Sequence, residues 1–318
     1  MPDRKHELDD DTVSSVSAME ALKISATPPI LEIISADEVW RFPGPDDDFE
    51  PHFECMEVIV RMDTGDHFLV QVHERISSQD ILNLDLSLLD LTSVAMEDIP
   101  HAFASFLANQ LGIEIESTKS ITVSKSDVCP TFSSSLTAAP AGMIKYCYLK
   151  YAQLAAYEPG NTIIKERVLA EANVCEVLMK NPHPNIMKYW GCYVVDGRIE
   201  ALCLAKYTMT LAERVDTGVP LDTERCLTGI RDGIQHLHSL GLVHNDINSR
   251  NIMMDPADNP VIIDFDSCTR EGEKMVKGWT LGWCIKDSMT GERENDFYGL
   301  IKLEEYLAAP ESCMCCRE

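Results

Sequence analysis

The residues most able to do chemistry in this chain fall in one run, Leu242-Val-His-Asn-Asp-Ile-Asn-Ser-Arg-Asn-Ile-Met-Met254, which has the form H-x-D-x-x-x-x-N followed by apolar residues. Asp264, thirteen residues after Asn251, lies in Ile262-Ile-Asp-Phe-Asp266, a short apolar stretch ending in carboxylates. Carboxylates and an amide gathered in one place can orient or deprotonate a hydroxyl, and can hold a hard cation through oxygen. The order and spacing carry the signal rather than any single piece, because His-x-Asp triplets and strands ending in Asp are each common.

The elements that must position these residues can be read from periodicity. Cys226 to Leu240 is a helix by its spacing: Leu227, Ile230, Ile234 and Leu237 recur every three or four positions, and Gly241 closes it. Asn251 to Met254 and Val261 to Phe265 read as two short strands around a turn at Pro256 and Asp258-Asn259. Upstream, Met143 to Tyr151 reads as a strand. Val168 to Met179 reads as a helix ended by Asn181-Pro182-His183-Pro184, since proline cannot continue it. Tyr193-Val-Val and Ile199 to Leu204 read as a hairpin around Asp196-Gly197. Strands first and helices later predict a two-lobed α+β enzyme.

On these residues the segment resembles the catalytic loop and the metal-binding segment of the protein-kinase-like superfamily, in the manner of divergent protein-kinase-domain proteins of fungi, with HNDxxxxN and DFD for the usual HRD and DFG. The likeness covers residues 143 to about 310. It implies an ATP- and Mg²⁺-dependent phosphotransferase, in which Asp246 accepts or orients the substrate hydroxyl, Asn251 and Asp264 hold Mg²⁺, and His244 braces the loop. Phosphoryl transfer needs such a set, because charge builds on the γ-phosphate oxygens while the attacking hydroxyl must be aligned.

Further segments extend the resemblance. Asn181 to Tyr189 is similar to the HPNI stretch that follows helix αC. In that register Glu171 is the glutamate that pairs with the ATP-site lysine, with Glu176 as the alternative. Tyr146-Cys-Tyr-Leu-Lys150 is similar to V-A-I-K and places Lys150 21 residues before Glu171. Ile163-Ile-Lys165 also reads as a strand with a lysine, but six residues before Glu171 leave too little chain for a turn and a helix start, which favours Lys150. Lys206-Tyr207-Thr208 is the implied hinge whose backbone can bind adenine, and Thr210 to Arg214 resembles the helix after it. Lys277 to Trp283 resembles the end of an activation segment. Glu294 to Gly299 resembles the start of helix αF, where Asp296 is implied to tie down the catalytic-loop backbone.

The pattern also departs from the family. No glycine-rich G-x-G-x-x-G precedes Lys150, only Ala139-Pro-Ala-Gly142. Asn245 replaces the HRD arginine, removing the cation that grips an activation-loop phosphate. Asp266 replaces the DFG glycine, adding a carboxylate and a stiffer backbone. Asn248 stands where Ser/Thr kinases carry lysine, and the C-lobe is expected to be shortened. Two alternatives to a Ser/Thr-type protein kinase stay open: a small-molecule kinase of the aminoglycoside and choline kinase type, and a pseudokinase that binds or scaffolds without turnover.

A formal net charge of −25 argues against nucleic acid and anionic membrane as partners, since phosphates are repelled, so a nucleotide site must gather its own cations. The expected partners are ATP and a protein, or a small hydroxylated molecule. No apolar run is long enough to cross a membrane and Met1 to Asp11 lacks a secretory h-region, so an intracellular, cytoplasmic protein with reduced thiols is expected. His52, His67, His73 and His101 have no ligand spacing, and Cys313, Cys315 and Cys316 read as a tail. The expected organisation is a polar tail (1–29), an acidic α/β region of unknown role (30–116), a Ser/Thr/Pro-rich linker (117–142), the kinase-like domain with a β-rich N-lobe and mainly helical C-lobe (143–310), and a Cys-containing tail (311–318).

Overall fold

The computed structural model describes residues 28–41, 52–155, 157–275, 280, 283, 285 and 290–308. Most of the expected N-terminal tail, the Cys-containing tail, and Lys277, Gly278, Trp279, Leu281 and Gly282 of the activation-segment likeness lie outside the described residues. The chain divides into two compact units, Met1–Lys125 with Leu154–Pro159, and Ser126–Gln153 with Gly160–Glu318. Both mix helix and sheet. No described helix is long and apolar enough to cross a membrane.

In the first unit, β1 (Leu31–Arg41), β2 (His52–Met62), β3 (His67–Val72) and β4 (Thr118–Thr122) form an antiparallel sheet in that order. The β2–β3 hairpin turns at Asp63-Thr-Gly65-Asp66, where Gly65 adopts φ +83°, a backbone region that favours glycine. Met56, Val58 and Val60 of β2 and Phe68, Val70 and Val72 of β3 lie in one core with Ile99, Phe103 and Leu107. Those three belong to α2 (Ile99–Leu111), which follows the single turn α1 (Ser78–Leu82). Phe103 meets Phe68 edge-on at 5.5 Å. Tyr157 is buried and its hydroxyl accepts from Ser124 N at 3.1 Å, fixing the segment Leu154–Pro159 to this unit.

Residues 117–142, whose composition marks a linker, instead carry structure. Thr118–Thr122 completes the first sheet as β4, and Thr131 and Ala138 bridge Arg198 and Cys192 in the second unit's own sheet. Backbone hydrogen bonds, which composition does not report, hold both stretches.

The second unit begins with two short turns, α3 (Lys125–Val128) and α4 (Ala141–Ile144), and then β5 (Tyr148–Tyr151), α5 (Ile163–Lys180), β6 (Tyr189–Val195) and β7 (Arg198–Leu204). Met143 and Ile144 are thus helical, and the strand expected over Met143–Tyr151 is confined to its end. Ile163-Ile-Lys165, which resembles a strand by its β-branched pair, opens α5, because Ile164 turns into the core at helical spacing with Ala172 and Cys175. The sheet order is β5-β7-β6, so β5 is an edge strand.

There follow β8 (Met209–Thr210), α6 (Leu211–Asp216), α7 (Thr223–Ser239), β9 (Leu242–Val243), β10 (Ile252–Met254), β11 (Pro260–Ile262), β12 (Thr269–Arg270) and α8 (Arg293–Ala308). A capping box starts α6: Thr210 Oγ1 accepts from Glu213 N, and the Glu213 carboxylate accepts from Thr210 N. Asp222 caps α7, whose Ile230, Ile234 and Leu237 are fully buried against Ile252, Ile262 and Phe265 in one core. The turn after α5 docks on β11: Asn185 Nδ2 donates to Pro260 O at 2.8 Å, Ile262 N to Asn185 O at 2.8 Å and Met187 N to Ile262 O at 3.0 Å. That docking aims the end of β11 at the site described next.

Candidate active site

Lys150 stands on β5, Glu171 two turns into α5, and Asp264 two residues past β11. The fold brings all three together: Lys150 Nζ donates to Glu171 Oε1 at 2.6 Å and to Asp264 Oδ1. Burial opposes the charge on Lys150, but the Coulombic pull of Glu171, Asp264 and Asp266 is larger and holds its ammonium above the ordinary lysine range. Burial raises the Glu171 carboxyl, and the Lys150 charge works against that rise. The alternatives sit elsewhere. Lys165 Nζ donates to Ser126 O at 3.1 Å, and Glu176 accepts from Thr137 N and Oγ1 at 2.7 and 3.0 Å.

Lys150 and Asp264 line a cleft of about 600 Å³. Its walls include apolar Met187, Leu204, Met253 and Ile263, the segment Lys206-Tyr207-Thr208, and polar Arg250 and Asn251. Asp264 adopts φ +64° and Asn245 φ +68°. The left-handed region costs energy for most residues but is tolerated by Asp and Asn, and such conformations gather at functional sites.

The loop between β9 and β10 carries His244, Asp246 and Asn251. His244 braces it, with Nε2 2.9 Å from Ile263 O, Nδ1 accepting from Asp246 N at 3.3 Å, and the ring edge-on to Phe265. Asp246 is buried and fully engaged. Its Oδ1 accepts from Thr280 N and Asn248 Nδ2 at 3.0 Å each, and its Oδ2 from Asn251 Nδ2 at 2.9 Å and Thr280 Oγ1 at 3.2 Å. Asn251 Nδ2 also donates to Asp246 O at 2.9 Å. The side-chain amide nitrogen of Asn251 is thus engaged by Asp246, while Asn251 and Asp264 line the same cleft.

The backbone of this loop is pinned from α8. Asp296, with no exposed surface, accepts from His244 N at 3.0 Å and Asn245 N at 2.8 Å, and its Oδ2 lies 2.8 Å from His238 Nε2. Asn245, in place of an arginine, is a neutral bridge: Nδ2 donates to Ser267 O and Thr269 Oγ1, and Oδ1 accepts from Asn295 Nδ2. One turn after Asn295 lies Gly299, where an added Cβ meets Ile247 O at 2.5 Å and Ile247 Cβ at 2.7 Å. Gly299→Ala therefore sets a helix-propensity gain of about 1 kcal/mol against an overpacking penalty of about 1–3 kcal/mol imposed by backbone that cannot rotate away. The expected result is a net loss of stability in urea denaturation, accompanied by reduced activity because the loop bearing Asp246 must shift.

The sequence reading brought Lys150, Glu171, His244, Asp246, Asn251 and Asp264 forward. Lys150, Asn251 and Asp264 line one cleft with Lys206, Tyr207 and Thr208, Glu171 and Asp246 bond to Lys150 and Asn251 respectively, and His244 braces the loop. It missed the contact of Thr280 with Asp246. The interval of 34 residues between them belongs to no local motif. It also gave Asn248 no role, although Asn248 links Asp246, Thr280 Oγ1 and the backbone N–H of Arg250 and Asn251.

The donor chemistry fits a nucleotide with a hard divalent cation. One amide oxygen and one carboxylate are what Mg²⁺ takes from protein when phosphates supply the remaining ligands. The apolar walls and hinge backbone suit a flat base, and Lys150 suits a phosphate.

A family model described as protein kinase domain matches residues 144–284. Serine/threonine-protein kinase shk2 of Schizosaccharomyces pombe is 30% identical over 122 residues, 37% of this chain and 20% of that protein. Probable serine/threonine-protein kinase mkcC of Dictyostelium discoideum is 33% identical over 159 residues, 41% of this chain and 17% of that protein. The serine/threonine-protein kinase US3 homolog of Gallid herpesvirus 2 (strain GA) is 25% identical over 134 residues, 41% of this chain and 32% of that protein. The chain thus spans under a third of the length of each of these relatives.

Proposed function

We propose, from the premise that residues 144–284 are a protein-kinase domain of the protein-kinase-like superfamily, that this chain is an ATP- and Mg²⁺-dependent phosphotransferase acting on protein serine or threonine hydroxyls. The observation that carries the reading is the meeting of Lys150, Glu171 and Asp264, from three separate elements, on a cleft that also holds Asn251. The names of the relatives, serine/threonine-protein kinases, support a protein hydroxyl as acceptor.

Bound Mg²⁺-ATP supplies the phosphoryl group and neutralises charge that develops on it. The residues of the chain do the rest. Asn251 and Asp264 offer the metal ligands, and Lys150, oriented by Glu171, offers an ammonium to phosphate oxygens. Asp246 orients the acceptor hydroxyl and takes its proton at Oδ1 or Oδ2. Its carboxylate is held in place by Thr280, Asn248 and Asn251, and the arriving hydroxyl takes the place of one of these donors, of which Thr280 Oγ1 at 3.2 Å is the longest contact. Asn248 supplies hydrogen bonds where Ser/Thr kinases have an ammonium, which leaves Lys150, Lys206 and Arg250 as the cations of the cleft wall.

One observation favours a second reading, a nucleotide-binding module without turnover. Among the described residues β5 pairs only with β7, and the stretch before it bridges β6 and β7 at Ala138 and Thr131 rather than covering the Lys150 edge. Mg²⁺-dependent thermal shift with ATP, followed by transfer of labelled γ-phosphate to protein substrates, separates the two. Binding with transfer supports the kinase, and binding without transfer supports the module. Lys150→Ala should weaken nucleotide binding about tenfold, as expected for one lost charge-assisted contact, while Lys165→Ala leaves it unchanged. A larger loss at Lys165 would move the site.

A further inference from the structure

Three carboxylates, those of Glu171, Asp264 and Asp266, bear on the one ammonium of Lys150. Two of them contact it directly, so the cluster carries an excess of negative charge in a partly dry setting. The excess arises from Asp266, a carboxylate where the sequence pattern calls for glycine. Asp266 lines the same small cavity as Lys150 and Glu171, so a second cation that reaches that cavity meets it there.

Arg167 lies in the right place. It is on α5, four residues before Glu171, and so on the same helix face. Arg167, Asp266, Lys150 and Glu171 together line a cavity of only about 30 Å³ that adjoins the main cleft, with which it shares Lys150 and Gln153. The Arg167 Nε is buried and has no hydrogen-bond partner among the described residues. A buried guanidinium N–H without an acceptor is costly, and a cavity this small can be spanned by a change of side-chain rotamer.

We propose that Arg167 and Asp266 form a charge clasp, closing across this cavity, that holds α5 and the segment after β11 together and thereby keeps Glu171 on Lys150. Arg167 and Asp266 are positioning residues here, since each acts through the Lys150–Glu171 pair rather than on a substrate. The clasp gives the chain an internal tie between α5 and the segment after Asp264, in a protein whose Asn245 cannot grip a phosphate. It holds whether or not the chain transfers phosphate, because it concerns the closed arrangement of the site.

The test is amide hydrogen exchange over α5, Ile163–Lys180, in the full chain without nucleotide, with α7 as internal reference. Arg167→Met keeps the packing of the stem and removes the charge, and Asp266→Asn keeps the shape and removes the charge. Each is expected to speed exchange of α5 about tenfold relative to α7, the loss of a charge-assisted hydrogen bond, and the double variant no further than either single. The charge-reversed pair Arg167→Asp with Asp266→Arg is expected to recover most of the protection. Additive effects of the two neutral substitutions, or no effect of either on α5, would overturn the clasp. The neutral cycle decides the matter even if the reversed pair does not fold.

Discussion

Asp246→Ala is expected to leave Mg²⁺-ATP binding close to that of the parent while phosphoryl transfer falls by about 10²–10⁴-fold, the contribution of a positioned general base. The separation follows from where the carboxylate points. The Asp246 carboxylate accepts hydrogen bonds from Thr280, Asn248 and Asn251. Removing it takes away the group proposed to meet the acceptor hydroxyl, while Lys150, Asp264 and the Lys206-Tyr207-Thr208 wall of the cleft remain. Some loosening of Asn251 is expected, because its Nδ2 loses one of two acceptors and keeps only Asp246 O. Labelled γ-phosphate transfer measures the first quantity, and the ATP-induced thermal shift measures the second. Transfer at the parental rate would remove Asp246 from the role of base. Loss of the thermal shift as well would mean that the loop, rather than one proton acceptor, had been lost.

How far the site could be read from the sequence depended on whether its geometry is local. His244, Asp246 and Asn251 lie within one loop, and the fixed spacing was enough to group them. Glu171 and Lys150 were legible for a different reason: the resemblance of Asn181 to Tyr189 to the HPNI stretch, and of Tyr146 to Lys150 to V-A-I-K, implied the register that pairs them. The competing residues Glu176 and Lys165 have clear structural work, with Glu176 tethering Thr137 and Lys165 reaching Ser126 O. Neither contact could be inferred from periodicity, because both reach into 126–137, a stretch of linker-like composition. The same composition hid β4, whose register against β3 is set by backbone pairing between Phe68–Val72 and Thr118–Thr122. Polar strands of this kind give no alternation to detect. Thr280 and Arg167 were invisible for a further reason. Their significance lies in what they face across space, Asp246 in one case and a cavity beside Asp266 in the other.

Asp296→Ala is expected to be the most damaging substitution outside the cleft, with about 3–5 kcal/mol lost in urea denaturation, the scale for breaking a buried charged hydrogen-bond network from one side. Asp296 has no exposed surface, so water cannot replace it without repacking. Its removal orphans the His244 and Asn245 backbone N–H groups and takes away the partner of His238 Nε2. Those two N–H groups belong to the very turn in which Asn245 holds φ +68°, a conformation that persists only while its surroundings enforce it. Relaxation of that turn would carry Asp246 with it, so catalysis should fall together with stability, in contrast to Asp246→Ala, where stability changes less. Asp296→Asn separates charge from shape. It keeps one carbonyl acceptor for the loop but turns an NH₂ toward a second donor, and should lie between the parent and the alanine variant in both stability and turnover. A cost below about 1 kcal/mol for Asp296→Ala, the range of a surface substitution, would show that the loop is held by the His244 and Asn245 side chains alone.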